Sequence, residues 1–239
     1  MSHQTGRTAV ILAGGLGSRL RPYTVVLPKP LMPVGESPIL EVIIKQLARN
    51  GFSRIILAVN HQADILRAYF GDGSQLGVSI EYSLETKPLG TMGPLHLMKD
   101  LPENFIVMNG DILCDLNFDE FFIQHETEDR LYTIAAAQRE QLIDYGVLGC
   151  EDDALVSFTE KPRSAYLVSM GVYCVSRRVL DYIPEDKAYG FDQLMLRFID
   201  EDRKVNVQTH TGYWLDIGRP DDYFRAVEEW PDLRLKLGL

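Results

Sequence analysis

The chain reads as an α/β protein built on one doubly wound mixed sheet, parallel in its first half and more antiparallel in its second. Three observations predict this. Thr8 to Leu12 is a short, nearly continuous apolar run ending in glycines, as expected of a strand buried on both faces of a parallel sheet. Strand-like and helix-like runs then alternate as far as Met108, which implies right-handed parallel crossovers. Beyond Asp111 the strand candidates crowd together, and the pattern becomes more antiparallel.

After the first strand, Ser37-Pro38 supplies a helix cap and a first-turn proline. Leu40, Ile43, Ile44 and Leu47 form one apolar face before Gly51 stops the helix. Arg54 to Val59 is the next strand, Gln62 to Phe70 a second helix closed by Gly71-Asp72-Gly73, and Ser79 to Tyr82 a third strand. Leu95 to Leu101 reads as a short helix, and Phe105 to Met108 as a buried strand ending at Asn109-Gly110-Asp111. Tyr132 to Ala137, Val147 to Cys150, Leu155 to Thr159 and Leu167 to Val175 are the later strands, with Asp152-Asp153 turning a hairpin. Helices are expected at Val179 to Ile183, Phe191 to Asp200 and Asp221 to Trp230.

With 239 residues, 46% of them hydrophobic, the chain is expected to form one domain with a full core, and Met1 to Arg7 to fray. No apolar run approaches the roughly 20 residues of a membrane span, and no basic-then-apolar leader opens the chain. A cytoplasmic protein with no membrane partner is expected. The net charge of −10 argues against a nucleic-acid partner, so a polyanionic ligand has to be met by local cations. Cys114, Cys150 and Cys174 are odd in number, widely spaced and set in apolar stretches, which predicts buried free thiols. His61, His96 and His125 show no metal-ligand spacing, and surface or core roles are assigned to them.

The chemistry starts at Leu12 to Leu31. Gly14, Gly15 and Gly17 lack a Cβ, so their amides can approach a phosphate, and Arg19 and Lys29 bring cations to the same loop. Neither a Walker loop nor a dinucleotide fingerprint fits: Gly17 is followed by Ser18-Arg19, and Leu20 stands where a third glycine is needed. The plainer alternative is a glycine turn with solvated Arg19 and Arg21. Pro28-Lys29-Pro30 weighs against it, because two rigid residues frame a single lysine. The loop reads as a triphosphate cradle.

Asp111 stands just past a buried strand, at the carboxyl end where open α/β sheets place ligands, although Asn109-Gly110 is also a common hairpin turn. Asp216 lies between Leu215 and Ile217 and is costly to bury without a cation. Together the two carboxylates suit one magnesium ion that also takes phosphate oxygens. Glu160-Lys161-Pro162 repeats the proline-framed lysine, with a surface ion pair as its plain alternative. Tyr145-Gly146 offers a phenol and open backbone for a sugar ring. In the loop Glu85 to Pro94, Glu85 is an acceptor-only side chain when ionised. Guanine presents two adjacent donors to such a group and uracil or thymine only one, so an acidic reader leans toward guanine.

Taken together, Leu12 to Leu31, Pro88 to Leu95, Asn109-Gly110-Asp111, Glu160-Lys161-Pro162 and Trp214 to Gly218 resemble the sugar-1-phosphate nucleotidylyltransferases. The likeness runs from about Thr8 to Trp230 with the motifs in family order. Glu85 with Pro88 to Leu95 looks most like the guanylyltransferases for mannose 1-phosphate and manno-heptose 1-phosphate. The resemblance implies a Rossmann-like, GT-A-like fold, with residues 8–115 as the nucleotide-binding half and 116–239 as the sugar-binding half. It also implies transfer from GTP, or another nucleoside triphosphate, to a sugar 1-phosphate with release of pyrophosphate.

By that likeness Leu12, Ala13, Gly14, Gly15, Gly17, Ser18, Glu85, Pro88, Gly90, Thr91, Asn109 and Gly110 bind the nucleotide. Arg19 holds the departing β,γ-phosphates, Lys29 the α-phosphate, and Asp111 and Asp216 the Mg2+. Lys161 anchors the sugar phosphate, with Tyr145, Gly146, Glu160, Ser169 and Gly171 around the sugar. One position departs from the pattern: Ser169-Met170-Gly171 replaces the Asn-x-Gly of many relatives, and the shorter side chain leaves room for a larger sugar, such as a heptose, or for a water. The left-handed β-helix that some relatives append is not expected here. A homo-oligomer remains open, as do a uridylyl- or thymidylyltransferase on the same scaffold and a non-catalytic sugar-nucleotide-binding regulatory subunit.

Overall fold

The computed structural model describes residues 6–238 apart from Leu16 and His61. Strand β1 (Arg7–Leu12) already includes Arg7, which was expected to fray. Its guanidinium pairs with Asp119 and lies 4.9 Å from the centre of the Phe122 ring, and these contacts hold the strand's first residue. Met1 to Thr5, the rest of the expected frayed end, lie outside the described residues.

β2 (Pro33–Val34) and β3 (Ser37–Pro38) make a small antiparallel pair that delivers the chain into α1 (Ile39–Arg49). The helix starts one residue later than expected. Pro38 is the cap residue, and the Ser37 hydroxyl bonds the Glu41 carboxylate at 2.9 Å instead of the helix backbone. Leu40, Ile43, Ile44 and Leu47 are fully buried, as their spacing predicts. β4 (Phe52–Val59), α2 (Ala63–Phe70) and β5 (Ser79–Leu84) follow the predicted alternation. The helix expected at Leu95 to Leu101 is a 3-10 turn over Gly93–Leu97, since Gly93-Pro94 and Pro102 leave too short a stretch for an α-helix.

After β6 (Asn104–Asn109) the chain does not turn back at Asn109-Gly110; β7 (Ile112–Cys114) leaves to pair elsewhere. The sequence reading missed α3 (Phe118–Thr127), although Phe118, Phe121, Phe122 and His125 recur at helical spacing and Asn117 caps the first turn through the Glu120 N–H. β8 (Tyr132–Leu142), β9 (Val147–Glu151), β10 (Ala154–Thr159) and β11 (Arg163–Ser176) extend the predicted strands. Asp152 and Asp153 both take positive φ, as a two-residue hairpin turn requires. Arg177–Tyr182 is a 3-10 turn where a helix was expected. α4 (Phe191–Asp200) is followed by β12 (Asn206–His210), which was not foreseen, then β13 (Trp214–Asp216) and α5 (Pro220–Lys236). α5 runs on through Pro231, past the expected end at Trp230.

The seven-stranded sheet has the order β12-β8-β11-β6-β1-β4-β5. β1 pairs parallel with both β4 and β6, and β5 extends the parallel set, whereas β11 runs antiparallel to β6 and β8. From β1 the chain winds outward to β4 and β5, then returns to lay β6 on the other side of β1. That reversal opens a crevice at the carboxyl ends of β1 and β6. β7 and β13 form a separate antiparallel pair.

Each sheet face carries a core. Ile11, Leu57 and Met108 pack with α1, α2 and α3 on one, and Val10, Val107 and Tyr132 with α4 on the other. On the second face Tyr173 stacks on Phe191 with ring centres 4.7 Å apart. Cys114 and Cys174 are buried free thiols. Cys150 is exposed, contrary to expectation, because β9 and β10 form a ribbon outside the main sheet with no second layer over it. Among the described residues no helix is long and apolar enough to cross a membrane.

His96 donates from Nε2 to the Ile183 carbonyl at 2.7 Å; His61 lies outside the described residues. His125 is fully buried, with Nδ1 2.8 Å from the Thr133 hydroxyl and no partner at Nε2. Burial, aided by Arg130 and Arg178, pushes its pKa from 6.5 down to about 4. The unfolded chain therefore takes up this proton first as pH falls. The stabilising contribution is whole above about pH 6.5 and is lost toward pH 4, a change of roughly 3 kcal/mol. Chemical denaturation between pH 7 and 4 should show a shallower loss of stability for His125→Gln than for the wild type; equal slopes would contradict this.

Candidate active site

Three backbone contacts shape the crevice. The Ala13 N–H donates to the Ala58 carbonyl at 2.9 Å, the Gly110 N–H to Leu12 at 3.0 Å, and the Glu85 N–H to Val59 at 2.8 Å. They gather the loops after β1, β5 and β6 around a cleft of about 580 Å³, lined by Leu12, Gly14, Gly15, Asn60, the segment Glu85–Thr91, Asn109 and Asp111. Asn60, which the sequence reading passed over, donates from Nδ2 to the Gly14 carbonyl and holds the loop's first turn. Its place at the end of a predicted strand beside the crevice was the available signal.

Gly17 takes a φ of +59°, and a Cβ there would lie 2.9 Å from Thr24 Cγ2 and 3.2 Å from Lys29 Cβ. Only glycine fits both the left-handed backbone and the close approach. The Thr24 hydroxyl locks this turn by donating to the Gly17 carbonyl at 2.6 Å. Ser18 and Arg19 follow in an exposed 3-10 turn, and the Arg19 guanidinium lies against Gly218. Lys29, between its two prolines, is only 9% exposed, and its ammonium pairs with the Asp111 carboxylate.

That pair uses Asp111 Oδ2. Oδ1 is buried and has no hydrogen-bond partner among the described residues. The Ile217 N–H donates to the Asp111 carbonyl at 3.0 Å, which brings Asp216 alongside at the end of the β7–β13 pair. Burial, and then the Asp111 charge, raise the Asp216 pKa above the usual carboxylate value, while Lys29 and Arg19 pull it down. Two converging carboxylates with one orphaned oxygen suit a hard cation that takes its remaining ligands from phosphate and water. Among the described residues no group of three or more His, Cys, Asp or Glu side chains forms a closed metal cage.

On the other wall, Glu85 Oε2 accepts the Leu89 N–H at 3.2 Å, while Oε1 lies beside Gly14. Burial raises the pKa of this carboxyl, and the Leu89 bond works against the shift. The loop itself is clamped to the segment before α4. The Tyr189 N–H donates to Leu89 at 2.9 Å, the Met92 N–H to Tyr189 at 3.0 Å, and the Thr91 hydroxyl accepts the Phe191 N–H at 2.7 Å. Gly90, with φ +76°, fits only because it has no Cβ, which would stand 2.7 Å from the Tyr189 carbonyl oxygen. Pro88 is exposed at the rim.

Gly171 lies on the Asn109 side chain beside the end of β6. Ser169 is two residues away, its hydroxyl accepting the Gly171 N–H and meeting the Tyr173 hydroxyl, each at 3.2 Å. The remaining predicted residues stand apart. Tyr145, Gly146, Glu160 and Lys161 belong to an arm formed by the outer parts of β8 and β11 with β9 and β10; Tyr145 is 79% exposed, and Lys161 pairs with Asp144 at 3.0 Å. The structure thus lines the cleft with Glu85 and Asp111, gathers Lys29, Asp216 and Arg19 beside Asp111, and sets these four on the arm.

A family model described as nucleotidyl transferase matches residues 8–232. The chain is 35% identical over 230 residues to the mannose-1-phosphate guanylyltransferase catalytic subunit beta of Drosophila pseudoobscura pseudoobscura, covering 93% of this chain and 62% of that protein. It is 31% identical to the UTP–glucose-1-phosphate uridylyltransferase of Synechocystis sp., covering 92% of this chain and 62% of that protein. It therefore spans less than two thirds of these relatives' length. Among solved structures, HddC from Yersinia pseudotuberculosis is 29% identical with a TM-score of 0.73, covering 94% of this chain and 99% of that one; the same protein is also known complexed with GMP-PN.

Gly90→Ala should cost about 1–3 kcal/mol by forcing a side chain into a left-handed backbone against Tyr189. Thermal melting with nucleotide titration checks this: the variant should melt lower and bind nucleotide more weakly. Unchanged values for both would show that the loop is not pinned there.

Proposed function

The chain belongs to the nucleotidyl transferase family, and from that premise we propose that it is a sugar-1-phosphate guanylyltransferase, converting GTP and a sugar 1-phosphate to a GDP-sugar and pyrophosphate. The observation that carries this is the convergence of Arg19, Lys29, Asp111 and Asp216 at the mouth of a glycine-lined cleft. Two cations beside two carboxylates suit a displacement at phosphorus, in which the protein positions and neutralises charge without a covalent nucleophile.

In this reading an oxygen of the sugar phosphate attacks the α-phosphorus of GTP in line, and pyrophosphate departs. The amides of Gly14, Gly15 and Gly17 accommodate the triphosphate, with Leu12, Ala13 and Ser18 completing the loop. Arg19 takes the departing β,γ-phosphates and Lys29 the α-phosphate. Asp111 and Asp216 hold magnesium, which when bound offsets the charge that develops on the phosphate oxygens. Glu85 accepts the paired N–H groups of guanine, with Pro88, Gly90 and Thr91 shaping the base pocket and Asn109-Gly110 its floor.

Lys161 anchors the sugar phosphate, while Tyr145, Gly146, Glu160, Ser169 and Gly171 face the sugar. The substrate is of the mannose or manno-heptose type, and the short Ser169 side chain leaves room for the larger heptose. Residues 8–115 and 116–239 then act as the two halves of one domain, in a cytoplasmic setting. The uridylyltransferase relative keeps a second reading in view, a UDP- or dTDP-sugar product on the same scaffold. The retention of both cations and both carboxylates disfavours a non-catalytic subunit.

A panel of nucleoside triphosphates with pyrophosphate release as the readout separates the bases: GTP should turn over fastest, and turnover with UTP but none with GTP would reject this reading. Glu85→Gln should lower kcat/KM for GTP by roughly 10–100-fold with a smaller loss for UTP. Asp111→Asn should lose turnover by orders of magnitude while circular dichroism shows a folded protein; near-normal turnover would remove Asp111 from the site.

A further inference from the structure

Side chains alternate along β13, so Trp214 and Asp216 share one face of the strand about 7 Å apart, with the buried Leu215 on the other. The Trp214 indole N–H donates to the Met170 carbonyl at 3.1 Å. Met170 lies between Ser169 and Gly171, the two residues that the proposed function sets beside the sugar. Arg139, from the outer part of β8, stands over the same indole, its guanidinium carbon 4.5 Å from the ring. This guanidinium has no hydrogen-bond or ion-pair partner among the described residues, although acidic residues outnumber basic ones 34 to 24 in the chain. Arg225 and His210, which line the same cavity of about 280 Å³, are already engaged, with Glu229 and Asp115 at 2.8 Å each.

Resting on the reading of the crevice as a sugar-1-phosphate site, we propose that Arg139 determines specificity by binding a second anionic group, a carboxylate or phosphate, at the end of the sugar remote from its 1-phosphate. The span from Asp216 to Trp214 is comparable to a pyranose ring, so a sugar whose phosphate meets the two carboxylates' metal ion reaches Arg139 with its far substituent. The planar guanidinium matches either anion through paired hydrogen bonds. Trp214 fixes it in place beforehand, so less freedom is lost when the substrate arrives. In a chain of net charge −10, a doubly anionic sugar needs such a local cation at each end. Arg19 and Lys29 serve the nucleotide end, and Arg139 serves the far end of the sugar.

Pyrophosphate release is measured with GTP and, in turn, mannose 1-phosphate, manno-heptose 1-phosphate, mannuronic acid 1-phosphate and mannose 1,6-bisphosphate. The better of the two acidic sugars should exceed both neutral ones in kcat/KM by at least about tenfold, and which of them it is tells carboxylate from phosphate. Arg139→Gln, a change to an exposed side chain, should bring that ratio to within about threefold of one by raising KM for the acidic sugar. Arg139→Lys keeps the charge without the fork and should retain part of the preference. Neutral sugars turned over as fast as the acidic ones, or a preference that survives Arg139→Gln in full, would overturn the proposal and leave the proposed function standing. No pyrophosphate release with any of the four sugars, with either GTP or UTP, would overturn the proposed function and this inference with it.

Discussion

The ion pair between Lys29 and Asp111 is the contact on which the crevice depends. Lys29 comes from a proline-framed turn after the glycine loop and Asp111 from the end of β6, 82 residues on, and the ammonium is nearly buried where they meet. Taking away either partner would leave a charge in a poorly solvated place, so the pair holds the two segments together only while both are present. Asp216 enters the same balance through the bond from Ile217 to Asp111 and raises the local negative charge, which Lys29 and Arg19 offset. Four charged side chains from three parts of the chain are mutually dependent.

This balance accounts for the contrast between the two sides of the molecule. The glycine-loop side is braced throughout: Thr24 locks Gly17, Asn60 holds Gly14, and Tyr189 clamps the Glu85 loop. On the β11 side, Gly171 lies beside Asn109 with Ser169 two residues away, while the arm with Tyr145 and Lys161 projects into solvent. A braced loop beside an open arm fits the proposed function, in which one substrate is held by the fold and the other meets a less confined surface.

Much of this was legible in the sequence because short-range rules governed it. Thr8 to Leu12 is nearly continuously apolar because both faces of the central strand are covered, and the Leu40 to Leu47 face follows the helical period. The glycine loop and the proline-framed Lys29 announced themselves by residue type. What escaped depended on distant partners. β12 alternates half-buried with exposed residues and exists because β8 offers it an edge, while Asn60 acts through its side-chain amide on the Gly14 carbonyl and Tyr189 through its backbone, contacts that no local pattern records. Cys150 looked buried because apolar neighbours surround it in sequence, yet the ribbon that carries it has no second layer. α3 was missed because its acidic residues obscured a regular aromatic face.

Asp111 gives one oxygen to Lys29 and leaves the other without a partner, facing the same crevice as Asp216. If that second oxygen serves a divalent cation shared with Asp216, Mn2+ titrated into the protein with a non-hydrolysable GTP analogue, and followed by electron paramagnetic resonance, should fill one nucleotide-dependent site. Its affinity should fall at least about tenfold in a folded Asp216→Asn variant. Equal Mn2+ affinity in the variant and the wild type would contradict the shared role of the two carboxylates.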